Sequence, residues 1–345
     1  MKILAVLGLT IVFALPLGTA RPRAADCEAV GAVQFVCGLS GPEDLAAIPG
    51  GRWIIASSYP ENNGGLRLID VRDLTTTILL PTETPRERLD RATYASCPGP
   101  IASVEQEQFS THGLYLSAGA DSQHTLYVVH HGTRESIEVF EVDGRAQPPA
   151  LTWIGCAVAP EGLNLNSVVG LPDGGFAATS FWTVGTGSME DARAGRISGV
   201  VWEWHPGAGW AMVPGTETAG PNGLEISADG KWFYIGGWGS QSFIRVSRGQ
   251  TPVQRDEVPA GFHIDNLRAV SDGSILAAGQ AFGAGVAPTS HVARVDPNTM
   301  QLQEVLRHPV SESFGMATTA LQVGEELWVG SLQGDRVARF PAPRP

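Results

Sequence analysis

The chain reads as an all-β protein, a six-bladed β-propeller. Two observations point there: a turn-then-strand unit that occurs six times, and polar segments that recur at one place relative to it. The unit is clearest as Pro49-Gly50-Gly51 followed by Trp53 to Ser57, and as Pro172-Asp173-Gly174-Gly175 followed by Phe176 to Ser180. Ala228-Asp229-Gly230 before Trp232 to Gly236, and Ser271-Asp272-Gly273 before Ile275 to Gly279, repeat it. Gln123-His124-Thr125-Leu126-Tyr127-Val128-Val129 and Gly324-Glu325-Glu326-Leu327-Trp328-Val329-Gly330 are looser copies. Asp-Gly and Gly-Gly tolerate the positive φ of tight hairpins, and each apolar run that follows reads as a buried strand. Most successive units lie roughly 43 to 56 residues apart, as four-stranded blades require. The first gap is longer, about 73 residues, too long for one blade repeat. It holds Thr82 to Ser103, a Pro-, Glu- and Arg-rich stretch expected to form an insertion loop over one face. No helical periodicity competes outside the first twenty residues. A pair of β-sandwiches and a β-helix are the alternative all-β readings.

Four polar segments precede these units: Pro42-Glu43-Asp44, Asn164-Leu165-Asn166, Pro221-Asn222-Gly223-Leu224 and Ile264-Asp265-Asn266. They come a few residues before the first, third, fourth and fifth units. Thr111-His112-Gly113-Leu114 stands in the same relation to the second. The innermost strand of each propeller blade lines a common channel, so such segments would meet. Carboxylate and amide oxygens with few charges are the donors that calcium selects. Singly, each segment is bland: Asn222 sits in an ordinary turn sequence, and Asp265-Asn266 can bond its own backbone. Glu43-Asp44 alone reads as a solvated loop pair. Their shared position is what favours a metal site.

The net charge of −12, with no basic cluster to offset it, argues against nucleic acid or an anionic membrane as partner. Residues 1–20 read as an export signal, with Lys2, an apolar run from Ile3 to Leu17, and Gly18-Thr19-Ala20 at its end. An uncleaved anchor is the alternative, but the run is short for a span and contains Pro16. A secreted or periplasmic protein is therefore expected, with the propeller filling 27–345. Cys27, Cys37, Cys97 and Cys156 suit an oxidising compartment and permit three pairings. Cys27 with Cys37 would close a short loop, leaving Cys97 and Cys156 to tie more distant segments. None has the Cys-x-x-Cys spacing of a zinc or redox site.

These segments resemble the paraoxonase/arylesterase family, secreted six-bladed propellers with calcium in the channel. Gly41-Pro42-Glu43-Asp44-Leu45 is similar to that family's first acidic pair, and Phe109-Ser110-Thr111-His112-Gly113-Leu114 to its histidine-glycine segment. Tyr127-Val128-Val129-His130-His131 resembles its second-histidine strand, with His131 placed 19 residues after His112. Leu163-Asn164-Leu165-Asn166, Pro221-Asn222-Gly223-Leu224 and Ile264-Asp265-Asn266 complete the order over most of the mature chain. The resemblance implies a catalytic calcium held by Glu43, Asn166, Asn222, Asp265 and Asn266. It implies a dyad in which His112 activates water and His131 orients it. Because only one of the adjacent His130 and His131 can face inward on a strand, the residue that faces in remains to be found.

Departures from the family pattern are informative. Ser167 stands where the family has an aspartate that helps hold a second, structural calcium. Asp44 and the Leu114 carbonyl stay available, so a second ion is expected to bind weakly or not at all. No cysteine after Cys156 can join the chain ends, which leaves closure of the propeller open. Gln280 stands near where another pocket histidine is expected, so substrate preference does not carry over.

The expected activity is calcium-dependent hydrolysis of carboxylic esters or lactones by a monomer acting on small molecules. Alternatives are a sugar-lactone hydrolase of the senescence-marker/gluconolactonase type, which His112, His131 and Asp265-Asn266 fit poorly, and a non-catalytic ligand-binding propeller. The chain carries no Gly-x-Ser-x-Gly, phosphate-binding Gly-x-x-x-x-Gly-Lys or His-Glu-x-x-His motif. His124, His205, His263, His291 and His308 have no partner pattern. Trp182 and Tyr59 are candidate pocket residues.

Overall fold

A computed structural model of the chain describes residues 27–59, 64–101, 109–283 and 285–342; the export-signal reading falls outside them. The architecture is a six-bladed β-propeller, each blade a four-stranded antiparallel sheet. Blade 1 is β2 (Leu45–Ala47), β3 (Trp53–Ser58), β4 (Gly65–Asp70) and β5 (Thr75–Leu80). Blade 2 is β6 (Ser110–Ser117), β7 (Gln123–His131), β8 (Ser136–Asp143) and β9 (Ala150–Val158). Blade 3 is β10 (Leu163–Gly170), β11 (Phe176–Thr183), β12 (Val200–His205) and β13 (Gly209–Met212). Blade 4 is β14 (Pro221–Ile226), β15 (Trp232–Gly237), β16 (Ser242–Ser247) and β17 (Arg255–Pro259). Blade 5 is β18 (His263–Ala269), β19 (Ile275–Gly283), β20 (Val286–Asp296) and β21 (Gln301–Pro309). Each turn-then-strand unit of the sequence is the turn into the second strand of a blade, so all six mark a blade.

Blade 6 answers the question of closure. Its inner three strands are β22 (Ala317–Val323), β23 (Glu326–Ser331) and β24 (Arg336–Pro341), and its outermost is the N-terminal β1 (Gln34–Cys37). Gln34 pairs with Arg339 and Cys37 with Arg336, so backbone hydrogen bonds rather than a disulfide join the two ends. The cysteines pair as Cys27–Cys37 and Cys97–Cys156. The second bridge closes a loop of 59 residues and, in the chain-entropy account, is worth about 4 kcal/mol.

The insertion after β5 does not cover a face of the disc. Glu87 bridges Trp153 in parallel, and Arg88 N–H donates to the Trp153 carbonyl at 2.8 Å. The segment thus runs along the outer edge of β9. Tyr94 stacks on Trp204 with ring centroids 5.5 Å apart, and Cys97 is tied to Cys156 on β9. Edge groups of β9 thus take up its 86–97 part at the rim, and farther on the Gly99 carbonyl accepts from Arg134 Nη1 of the β7–β8 connection at 2.9 Å. Ser103, at its expected end, lies outside the described residues. Two short helical elements went unpredicted: a 3-10 turn at Ala120–Ser122 and α1 (Met189–Arg193) in the β11–β12 connection, capped by Ser188, whose hydroxyl accepts from Asp191 N–H.

The core lies between blades, where Leu45, Leu114, Leu224 and Leu267 are fully buried. Each follows one of the polar segments. In each case the leucine resumes or begins the ladder and is buried between sheets, while the polar residues stand just ahead of it at the channel end. Each such leucine contributes about 1.5–3 kcal/mol of burial energy, which fixes the polar neighbour in place.

Candidate active site

The channel ends of the inner strands share a defect. β6 breaks register between Thr111 and Leu114, β10 between Leu165 and Val168, and β14 between Pro221 and Leu224. β18 does so between Ile264 and Leu267, and β22 between Ala317 and Ala320. Each bulge leaves two residues out of the ladder: His112-Gly113, Asn166-Ser167, Asn222-Gly223, Asp265-Asn266 and Thr318-Thr319. A bulge re-aims side chains that a regular ladder would hold flat. In blade 1, Glu43-Asp44 occupy the matching place just ahead of β2. The recurrence seen in the sequence is thus a ring of bulges around one end of the channel.

Close packing of that ring explains its glycines. A Cβ on Gly113 would lie 2.3 Å from the Asn166 carbonyl oxygen, and one on Gly223 would lie 2.6 Å from that of Asp265. Neighbouring bulges touch backbone to backbone, so only glycine fits there. Thr179 on β11 ties two of them, accepting from Ser167 N–H at 3.0 Å and donating to the Asn222 carbonyl at 2.6 Å.

The sequence-predicted ligands meet at this ring. Asn266 Nδ2 donates to Glu43 Oε1 at 2.6 Å, joining blades 5 and 1. Gln280 Nε2 donates to Asp265 Oδ2 at 3.1 Å, and Asn222 also hydrogen-bonds Asp265. Thr318 of blade 6, which the sequence reading missed, donates to the Glu43 carbonyl at 2.6 Å. Among the described residues, Glu43 Oε2, Asn166 Oδ1, Asn222 Oδ1 and Asn266 Oδ1 are buried with no hydrogen-bond partner. Buried oxygens left unpaired cost about 1–3 kcal/mol each, more when charged, so their clustering calls for a positive partner. Burial, then the charges of Asp44 and Asp265, push Glu43 well above the usual carboxylate range. Burial likewise pushes Asp265 up to about 7, against the lowering hydrogen bonds from Gln280 and Asn222.

The five groups fit one calcium ion: two carboxylates and three amides, of which Glu43 and the three asparagines each keep an unpaired buried oxygen. Among the described residues no group of three His, Cys, Asp or Glu side chains is placed to hold a metal by itself, so the amides are essential to the set.

The residues expected for a second ion are arranged differently. Arg268 Nη2 pairs with Asp44 Oδ2 and donates to the Leu114 carbonyl at 2.7 Å. Its Nε donates to the Leu45 carbonyl at 3.1 Å and its Nη1 to the Leu267 carbonyl at 2.6 Å. Asp44 also accepts from Leu45 N–H and Leu114 N–H, at 2.8 and 2.7 Å. Asp44 and Leu114 therefore do not fit a second divalent cation, because the guanidinium already supplies the charge there. Ser167, in place of the missing aspartate, accepts from Leu224 N–H at 3.3 Å. Arg268 was not legible as a site residue, since a single arginine in a strand reads as solvent-facing.

Beside the ring, His112 Nδ1 lies 3.0 Å from His131 Nε2, and His112 Nε2 lies 3.8 Å from Glu43 Oε1. Burial, then the nearby His131, hold His112 well below the ordinary histidine range, so its ring is neutral at neutral pH. His131 is the residue of its pair that faces inward; His130 is buried on the opposite side, stacked on Phe109 at 4.7 Å. Tyr59 packs on His112 with centroids 4.4 Å apart. Trp182 contacts Phe181, which in turn packs on Trp238. His263 lies between Trp238 and Phe282, at 4.5 and 4.6 Å, giving the channel rim an aromatic side. A cavity of about 270 Å³ between β5 and β9 lies at the outer edge and takes no part in this site.

No family model matches the sequence, and no curated protein is similar to it in sequence. Solved structures do resemble the fold. A candidate gluconolactonase matches with a TM-score of 0.55 at 16% identity, over 93% of this chain and 97% of its own. A luciferin-regenerating enzyme matches at 0.54 and 12% identity, over 89% and 94%. Regucalcin from Agrobacterium tumefaciens, a calcium-binding protein, matches at 0.53 and 14% identity, over 89% and 93%. The chain shares a propeller fold with these proteins.

Proposed function

We propose that the chain hydrolyses lactones or carboxylic esters at a calcium ion held in the channel, as the paraoxonase/arylesterase propellers it resembles do. The observation that carries this reading is the convergence of unpaired buried oxygens from Glu43, Asn166, Asn222 and Asn266 beside a neutral, buried imidazole. Glu43, Asn166, Asn222, Asp265 and Asn266 would hold the calcium ion, which would supply Lewis-acid polarisation of the substrate carbonyl. His112 presents Nε2 toward the ligand ring and takes the proton of the attacking water there. His131, bonded to the other ring nitrogen, holds the His112 ring in orientation. The aromatic side formed by Trp238, His263 and Phe282 suits an apolar or aromatic substrate group. The two disulfides support a secreted or periplasmic setting.

A second reading, a sugar-lactone hydrolase, draws support from the fold likeness to proteins described as a candidate gluconolactonase and as regucalcin. The distinguishing experiment measures hydrolysis of phenyl acetate, aliphatic lactones and sugar lactones by the mature chain. Rates are taken with calcium, with chelator, and with calcium restored. Turnover of aryl esters or aliphatic lactones, lost to chelator and recovered with calcium, is expected. Turnover of sugar lactones alone favours the second reading, and calcium binding with no turnover marks a binding propeller. In the same assay His112→Gln is expected to lower kcat by about 10²-fold, the lower end for loss of a general base.

A further inference from the structure

The hydrogen-bond chain through the two histidines does not end at His131. His131 Nδ1 lies 2.8 Å from Glu135 Oε2, and the other oxygen of that carboxylate, Oε1, accepts from Leu165 N–H at 2.6 Å. Glu135 sits in the β7–β8 connection, its own carbonyl accepting from Ala159 N–H at 2.9 Å. The carboxylate therefore bridges from the histidine strand of blade 2 to the bulge of blade 3 that carries Asn166.

We infer that Glu135 is a positioning residue that decides which nitrogen of His131, and through it of His112, carries the proton. A carboxylate only accepts hydrogen bonds, so the His131 nitrogen facing it must be Nδ1–H. In the neutral ring His131 Nε2 is then a lone pair, and the 3.0 Å contact from His112 Nδ1 is an N–H donated to it. That leaves His112 Nε2 without a proton, on the side facing the ligand ring, 3.8 Å from Glu43 Oε1. With the opposite tautomers His112 would carry its proton at Nε2 and present no acceptor to water. The arrangement thus aims the one basic nitrogen at the place where the proposed reaction needs it.

Leu165 N–H makes this testable with a single atom change. In Glu135→Gln the amide oxygen is required by Leu165 N–H, which turns the amide NH2 toward His131. A donor facing His131 Nδ1 makes that nitrogen the acceptor and moves the proton to Nε2, which then donates to His112 Nδ1. Both rings switch together. Glu135→Ala removes the bias without imposing the opposite one.

The experiment is two- and three-bond ¹H–¹⁵N correlation spectroscopy on the full mature chain labelled with [¹⁵N]histidine, assigned with His112→Gln and His131→Gln. The wild type is expected to show both rings protonated at Nδ1, Glu135→Gln both at Nε2, and Glu135→Ala a mixture. Far-UV circular dichroism checks that the variants are folded. Wild-type spectra with Nε2–H on either ring overturn the inference, whether or not the variants fold. So does a folded Glu135→Gln chain with unchanged tautomers. The kinetic arm rests on the hydrolase reading: kcat for Glu135→Gln is expected to fall at least about 10-fold with KM within about twofold, because proton transfer and not binding is disturbed. Glu135→Asp is expected to recover part of kcat. Failure of hydrolysis in every variant, wild type included, counts against the hydrolase reading and leaves the spectroscopic result to decide the role of Glu135.

Discussion

Asp265→Ala and Asn222→Ala are each expected to lower calcium-dependent kcat/KM by about 10²- to 10³-fold, the range for losing one oxyanion-stabilising group. The propeller should remain folded. Asp265 is a carboxylate whose ionisation burial opposes, and Asn222 Oδ1 has no protein partner to lose. Removing either takes away a group that the protein alone leaves under-compensated. The fold around them rests on buried leucines and backbone ladders that neither substitution touches. Thermal unfolding checks this: calcium is expected to raise the Tm of wild type by preferential binding to the folded state, and that rise should disappear in both variants. In the presence of chelator all three proteins should melt within a few degrees of one another. Full activity in either variant would show that the ring is not the site of chemistry.

Arg268→Met is expected to have the largest effect on stability, about 3–5 kcal/mol, because it breaks a buried ion pair by removing one partner. Asp44 would keep two backbone N–H donors but lose its counter-charge, and the Leu45, Leu114 and Leu267 carbonyls would lose theirs. Nearby Glu225 is also buried, and its raised pKa, due mainly to burial, is held down by the Arg268 charge. Urea unfolding read by tryptophan fluorescence measures the loss. Adding Asp44→Asn to Arg268→Met should recover part of it, since the stranded charge is then gone. A shift below about 1 kcal/mol for Arg268→Met would put the pair in the class of weakly contributing ion pairs and remove its role as the hub's fixed cation. Excess calcium restoring stability to Arg268→Met would show that Asp44 and Leu114 can take a cation once the guanidinium is gone.

Much of this fold was legible because its blades announce themselves locally. Asp-Gly and Gly-Gly turns ahead of Trp53, Phe176, Trp232 and Ile275 each mark the second strand of a blade, and a hairpin depends on neighbouring residues only. The polar segments were legible because they recur at one place ahead of each turn-then-strand unit, as Glu43-Asp44, His112, Asn166, Asn222 and Asp265-Asn266 do. What escaped was non-local. The β1–β24 pairing joins residues roughly 300 apart, with no cysteine to mark it. The composition of the insertion after β5 says loop, but not where the loop packs. Tyr94 against Trp204 decides that, and the contact crosses a blade boundary.

The polar residues that sequence reasoning missed share one property. Thr318, Glu135 and Arg268 all act through partners in another blade or another strand. Thr318-Thr319 occupies the bulge of blade 6 without a carboxylate, amide or histidine to draw attention. Glu135 lies only four residues after His131, yet between them runs a turn, and an acidic residue beside a turn is ordinarily solvated. Arg268 interrupts the apolar stretch around Leu267, and only the fold shows that Asp44 and three carbonyls surround it. Ser167 in place of an aspartate was a legible hint that the charge balance near Asp44 differs, but not of what restores it.

The most direct test of the account is titration calorimetry of calcium into chelator-treated mature protein, with Asn222→Ala as the control. One calcium per wild-type chain is predicted, with binding lost or strongly weakened in Asn222→Ala. No binding to the wild type, or undiminished binding to Asn222→Ala, would contradict a calcium centre at the ring of bulges. Two ions per chain would contradict the assignment of Arg268 as the cation beside Asp44.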